Sequence, residues 1–182
     1  MFTMSVQNLI VTADLRHTLN LKRLAVSWDT ARYNPRRFSA LRMHFSTPIK
    51  TTLLIFSNGR IVCTGIKSLV DAKRALLHLC QQLALAGYPD TIQAYDVKIK
   101  NVVVSHDTGF RIELSQLYNS YRNYCVYEPE LFLALKYQVY TPTRLSVLVF
   151  HSGKLVLTGS SSIDLTLKTL RLLIPVFSKF TW

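Results

Sequence analysis

The side chains with which this chain could break bonds or hold a metal are few, and their spacing suits neither task. His17, His44, His78, His106 and His151 show no ligand spacing with Cys63, Cys80 and Cys125, and no glycine-rich phosphate loop or nucleophile motif occurs. Three cysteines, odd in number and far apart, suggest neither a disulfide framework nor a zinc cluster and fit a reducing compartment. No catalysis, metal or cofactor is expected. What remains is non-covalent chemistry: 22 Lys plus Arg stand against 10 Asp plus Glu, and the net charge of +12 points to a polyanionic partner.

The residues available for such binding are written twice. Residues 33–68 and 127–162, aligned without a gap, agree at 14 of 36 positions. The shared positions include Tyr33/Tyr127, Pro35/Pro129, Phe38/Phe132, Pro48/Pro142, Phe56/Phe150, Gly59/Gly153, Thr64/Thr158 and Gly65/Gly159. Two copies about ninety residues apart are too few and too long for a solenoid, so each half is read as a small α/β unit. The halves are 1–91 and 92–182, two repeats of one continuous domain. Residues 1–15 carry Gln7, Asn8 and Asp14 inside their apolar stretch, and no apolar run reaches membrane-spanning length, so a soluble intracellular protein is expected.

The elements that must position these residues follow from periodicity. In the first half a strand is expected over 6–13, a short helix over 20–27, and strands over 39–46, 50–57 and 60–65. Asn58-Gly59 joins the last two, a pair whose residues both tolerate positive φ, and Ser152-Gly153 takes its place in the second half. A helix starts at Ser68, with Asp71 three residues on, and runs to Gly87. Val70, Leu76, Leu77, Leu79, Cys80, Leu83 and Ala84 form its buried face, and the side of Lys73 and Arg74 stays wet. Its counterpart starts at Ser162–Ile163 and runs through Leu167, Leu170, Leu173, Val176 and Phe177, with a kink expected at Pro175. After a connector over 88–95, a strand over 96–105 restarts the pattern. The class is α+β, an antiparallel sheet with helices on one face.

A sheet covered on one face normally shows polar residues on the other. Here both faces are apolar. Leu53, Ile55, Ile61 and Cys63 alternate with Leu54, Phe56, Val62 and Thr64, and Val147, Val149, Leu155 and Leu157 alternate with Leu148, Phe150, Val156 and Thr158. The remaining segments are too short to build a second layer, so the open apolar face reads as a binding surface with a cationic rim. That combination suits a DNA minor groove.

The motifs VQNLIV, YNPRRF, TTLLIFSNGRIVCTG, YEPELF and VLVFHSGKLVLTG, in this order and spacing, resemble the TATA-box-binding protein family over residues 6–180. The resemblance implies a saddle, a curved sheet of about ten antiparallel strands built from two direct repeats, with helices on the convex face and DNA under the concave one. It implies that Phe38 with Phe56, and Phe132 with Phe150, wedge between base steps. Asn8 and Asn101 match asparagines that bond minor-groove acceptors, and Thr64 and Thr158 match groove-facing threonines. Ile10, Val103, Leu54, Leu148, Val62 and Val156 match apolar groove contacts. Since A·T pairs show only acceptors in the minor groove, whereas G·C adds a donor that an apolar surface leaves unsatisfied, A·T-rich DNA is preferred.

Arg60 and Lys154 match phosphate contacts, with Lys50 and Arg144 nearby. Where the family usually has an arginine, this chain has His44 and Gln138, with Arg42 and Lys136 two residues earlier. Each copy also has one extra residue between Pro48 or Pro142 and the wedge-bearing strand. Glu128, Glu130 and Leu131 match the loop that docks TFIIB, although Leu133-Ala134 replaces the Pro-Gly that follows it in the family. Lys67, Lys73 and Arg74 are candidates for the convex basic surface that other factors contact in the family, and they equally suit a solvated helix face. The implied function is a general transcription initiation factor. It binds and kinks TATA-like promoter DNA and recruits TFIIB-like factors and RNA polymerase, with a TFIIA-like factor as a further partner. The implied location is the nucleus or a viral transcription compartment. The alternative is a diverged paralogue serving mainly as a protein-assembly platform with weak or altered DNA preference.

Overall fold

Alternation along the strands decides which side of each hairpin is covered. In the computed structural model, which describes residues 4–141 and 143–181, Leu53, Ile55, Ile61 and Cys63 are buried, while Leu54, Phe56, Val62 and Thr64 between them are half-buried. The second copy repeats this with Val147, Val149, Leu155 and Leu157 buried, and Leu148, Phe150, Val156 and Thr158 half-buried. Pro142, the partner of Pro48 in the repeat, lies outside the described residues.

The elements run β1 (Met4–Asp14), α1 (Leu21–Ser27), β2 (Ala31–Arg32), β3 (Leu41–Phe45), β4 (Thr51–Ile55), β5 (Arg60–Ile66) and α2 (Leu69–Leu85). They continue as β6 (Tyr95–Asp107), α3 (Leu114–Ser120), β7 (Cys125–Val126), β8 (Ala134–Thr141), β9 (Thr143–Phe150), β10 (Lys154–Ser160) and α4 (Ile163–Phe177). The chain forms two compact units, one of residues 8–100 and one of residues 1–7 with 101–182. In the first the strand order is β2-β3-β4-β5-β1, and in the second β6-β10-β9-β8-β7. Every neighbouring pair in these two orders is antiparallel. This is the expected α+β class, with the two-residue strands β2 and β7 added at the edges. Among the described residues, no helix is long and apolar enough to cross a membrane.

Helix α2 begins where expected, because the Ser68 hydroxyl accepts the Asp71 amide at 3.0 Å and satisfies one free donor of the first turn. Ser162 caps α4 in the same way, accepting from Leu165 N–H at 3.2 Å. The buried face of α2 differs from the expected one: Ala72, Ala75, Leu76, Leu79 and Leu83 are covered, whereas Val70 and Leu77 are exposed. Small alanines allow the helix to lie close to the strands, and this rotates Val70 and Leu77 outward. Helix α4 continues two residues beyond Pro175 and buries Leu170, Leu173 and Phe177, the last against Tyr137 of β8 with ring centroids 5.6 Å apart.

The hairpin turns also differ from expectation. Gly59 has φ +87° and Gly153 +89°, but Asn58 and Ser152 are not in the left-handed region. Phe56 N–H donates to Arg60 C=O, and Gly59 N–H to Phe56 C=O. The loop is thus three residues long, a turn closed by one left-handed glycine rather than a two-residue turn with two. Asn58 contributes through its side chain, which accepts the Arg60 amide at 3.1 Å.

Candidate nucleic-acid interface

The turn geometry sets the phenylalanines. Phe56 follows β4 and Phe150 ends β9, each immediately before its turn. Phe38 and Phe132 follow tight turns of their own, in which their amides donate to Asn34 and Glu128 carbonyls at 3.0 and 2.9 Å. Phe38 meets Phe56 edge to face at 6.3 Å and 66°, and Phe132 meets Phe150 at 6.3 Å and 69°. Such a contact is a favourable aromatic arrangement, yet Phe38 remains 46% and Phe132 51% exposed. Each unit therefore holds out a braced, solvent-facing aromatic pair.

A second repeated feature lies between β5 and β1 and between β10 and β6. Both pairings shift register, between Leu9 and Val11 in one and between Leu157 and Ser160 in the other. The extra residue of each bulge frees a glycine amide that a regular ladder would have used. Asn8 Oδ1 accepts the Gly65 amide at 2.8 Å, and Asn101 Oδ1 accepts that of Gly159 at 2.8 Å. A backbone donor on Oδ1 fixes which terminal atom of each amide is the oxygen, so the other is the Nδ2 donor. Nδ2 donates to Thr64 Oγ1 at 3.2 Å and to Thr158 Oγ1 at 3.0 Å. Nδ2 carries two protons, and this leaves a second donor in each unit for an outside acceptor.

Register extends these pairs into rows. Across the first unit Arg42 lies opposite Leu54, Leu54 opposite Val62, and Val62 opposite Thr12. Lys136, Leu148, Val156 and Ser105 form the same row in the second. The next row is His44, Thr52 and Thr64 in one unit, and Gln138, Ser146 and Thr158 in the other. Ile10 and Val103 are half-buried on the same alternation as Asn8 and Asn101. Apolar centre and hydrogen-bonding groups thus share one face in each unit.

Cations flank these rows. Arg60 and Lys154 are exposed just after the turns. Sequence reasoning missed Lys98 and Lys100, which line a groove of about 660 Å³ together with Phe56, Arg60 and Val62 and the carboxylates Asp14 and Asp96. Alternation gives them the parity of buried Val102 and Val104 rather than that of Asn101, so the sequence held no signal for them at the open face. Arg144 is not free as a simple surface cation, because its Nε donates to Gln138 Oε1 at 3.0 Å. Gln138 itself is 8% exposed and also donates to Ser146 Oγ at 3.0 Å. Burial pushes the thiols of Cys63, Cys80 and Cys125 up, which keeps them protonated near neutral pH.

Glu128, Glu130 and Leu131 lie together in the loop after β7, with Glu130 exposed and Leu131 exposed at 81%. They are distinct from the strand rows. Lys67 is exposed after β5, and Lys73 and Arg74 are exposed on α2.

A family model described as transcription factor TFIID, or TATA-binding protein, matches residues 3–86 and 96–180. The chain is 40% identical over 176 residues to TATA-box-binding protein 1 of Arabidopsis thaliana, covering 97% of this chain and 86% of that one. It is 38% identical over 175 residues to the TATA-box-binding protein of Acetabularia peniculus, covering 96% and 90%. Its fold matches the Methanococcus jannaschii TBP structure with a TM-score of 0.87 at 30% identity, covering 97% of this chain and 98% of the other. The doubled strand-and-helix unit and these matches across both copies establish that the chain belongs to the TATA-binding protein family of transcription factors.

Proposed function

We propose that each repeat lays its open face against the minor groove of A·T-rich promoter DNA. The observation that carries this reading is the doubled asparagine geometry: Oδ1 is held by a backbone amide at 2.8 Å in both units, and Nδ2, bonded to one threonine hydroxyl, keeps a second proton to donate. Donors that share a face with the apolar Leu54, Val62, Leu148 and Val156 match A·T edges, which carry only acceptors, and the apolar face leaves the extra donor of G·C unsatisfied. Phe38 with Phe56 and Phe132 with Phe150 enter base steps as wedges. Unstacking costs about a few kcal/mol per step, a magnitude known from minor-groove wedging proteins, this family among them, and the larger protein surface that a bent duplex covers offsets it. Arg60, Lys154, Lys98 and Lys100 neutralise phosphates, so affinity falls with salt.

The bound complex then offers Glu128, Glu130 and Leu131 to a TFIIB-like factor and through it to RNA polymerase, in the nucleus. Lys67, Lys73 and Arg74 offer a cationic surface to a TFIIA-like factor. The test is energy transfer between dyes at the ends of an A·T-rich duplex. The wild-type chain bends it sharply, and Phe56→Ala with Phe150→Ala loses the bend. No bend with the wild-type chain, or an unchanged bend with the double variant, overturns the reading. The capture of Arg144 by Gln138 favours a second reading, in which DNA grip is weakened and protein assembly dominates. Selection from random duplexes that enriches no motif, alongside tight factor binding, decides for it.

A further inference from the structure

We propose that the groove between α2 and the segment that follows it docks an amphipathic helix of a partner protein, held by apolar burial. This goes beyond a cationic surface for a TFIIA-like factor and does not depend on DNA binding. The groove has a volume of about 500 Å³. One wall is a stripe of α2 through Lys73, Leu77, Cys80 and Ala84, and the other includes Ile92 of the connector and Val97 of β6.

Comparison of the repeats shows that a helix in this place can be built without an apolar outer stripe. Ser68 and Ser162 cap α2 and α4 at equivalent positions, so Val70, Leu77 and Leu85 correspond to Asp164, Arg171 and Lys179. All six are exposed, Val70 at 60%, Leu77 at 62% and Leu85 at 81%. The second repeat meets water there with charges, and Leu172 is the large apolar side chain that α4 exposes. In the first repeat a seven-residue spacing puts Val70, Leu77 and Ala84 in one line along α2, with Leu85 beside its end. A single exposed leucine is ordinary. Three exposed apolar residues on a helix that also walls a groove mark a contact surface.

Shape and charge select the occupant. From Lys73 to Ala84 the stripe is about three turns, roughly 16 Å, long, the reach of a partner helix that inserts side chains at i, i+3 or i+4, and i+7. Lys73 and Arg74 are exposed at one end of this stripe, and Asp90 lines the groove from the connector. Asp71, the carboxylate of the first turn, falls on the opposite flank of α2. The partner helix therefore carries carboxylates beside its apolar stripe, to meet Lys73 and Arg74, and a cation to meet Asp90. A second copy of the chain, docked through the same stripe, would set Lys73 and Arg74 against their own equivalents.

Selection of displayed peptides of about sixteen residues, long enough for four turns, on the full chain tests this. Enriched peptides are expected to repeat apolar residues at helical spacing with carboxylates beside them. Leu77→Arg lowers the affinity of such a peptide by at least about tenfold, while Leu172→Arg on α4 leaves it unchanged. Leu77→Arg keeps the wild-type thermal midpoint, since the residue is exposed. Affinity changes by less than about threefold across a potassium chloride series, because buried apolar contacts are not screened. The bound peptide also slows alkylation of half-buried Cys80, read by mass spectrometry separately from buried Cys63 and Cys125. Enrichment of no peptide, binding that survives Leu77→Arg, or an unchanged rate at Cys80 overturns the proposal. Sedimentation that shows the chain alone associating, and Leu77→Arg dissolving the association, gives the groove to a second copy and overturns it as well.

Discussion

The two repeats agree where backbone geometry dictates chemistry and part where only a side chain decides. Their aromatic pairs stand at the same 6.3 Å, and their asparagines hold a glycine amide at the same 2.8 Å. Their rims differ: Arg36-Arg37 in one loop corresponds to Glu130-Leu131 in the other, and His44 corresponds to Gln138. A bulge or a left-handed turn constrains several residues together, so a single substitution there breaks more than itself. A rim charge is solvated and answers to little else within the fold. Duplicate sequences therefore keep their groove-facing set while their edges specialise.

The largest expected effect tests the shared part. A Cβ on Gly59 would collide with the His17 carbonyl oxygen, and one on Gly153 with that of Phe110, both at positive φ. Left-handed backbone alone costs about 1–2 kcal/mol for an ordinary residue, and displacing packed backbone adds about 1–3 kcal/mol. Gly59→Ala and Gly153→Ala should each lose about 3 kcal/mol in urea unfolding. Gly109→Ala, also at positive φ but with nothing within 4 Å, should lose only the backbone part. Unequal losses at Gly59 and Gly153 would show that the two turns are not equivalent.

An intermediate effect exposes a difference. At one edge of the second unit Cys125 pairs with Tyr137, where the first unit pairs Ala31 with Met43. Burial pushes the Cys125 thiol from 9.0 up to about 11. Burial first, then the charges of Cys125, Tyr121 and Tyr124, push the Tyr137 phenol from 10.0 up to about 12. The unfolded chain therefore releases these protons earlier than the folded one. The stability they contribute is complete below about pH 9 and is lost as pH rises towards 11 and 12. Urea midpoints at about pH 8 and pH 10.5 should fall less in Tyr137→Phe than in the wild-type chain. Cys63 in the first unit shifts the same way by burial, so a residual decline should remain.

Much of this was legible in the chain itself. Alternation separated Leu53 and Ile55 from Leu54 and Phe56 on opposite faces, because side-chain direction on a strand depends only on parity, while the family resemblance named which face is open. The caps Ser68 and Ser162 were legible because a hydroxyl before a periodic run has one local use. The turn class was not, since Asn58-Gly59 fits two loop lengths and cross-strand pairing selects between them. Helix α3 and the two-residue strands β2 and β7 lack a run long enough to show a period. The outward rotation of Val70 and Leu77 depends on how closely Ala72 and Ala75 approach the strands. The Asn8–Gly65 and Gln138–Arg144 bonds depend on register, which no single segment encodes.

The smallest expected effect is the sharpest measure of rim divergence. Gln138 is buried and bonded to half-buried Ser146 and to exposed Arg144, which water can satisfy, so Gln138→Ala loses packing and one hydroxyl's partner and should cost about 1 kcal/mol. His44 is exposed and bonded to Thr52, a hydroxyl that water can satisfy, so His44→Ala should change stability by less than about 0.5 kcal/mol. Thermal melts of the two variants give the comparison directly. Equal costs would mean that both positions are structural and that the first rim has no residue spare for binding. A cost confined to Gln138 would mean that the second repeat has turned an open-face position inward, holding Arg144 for its own fold, while the first has kept the matching position for what lies outside it.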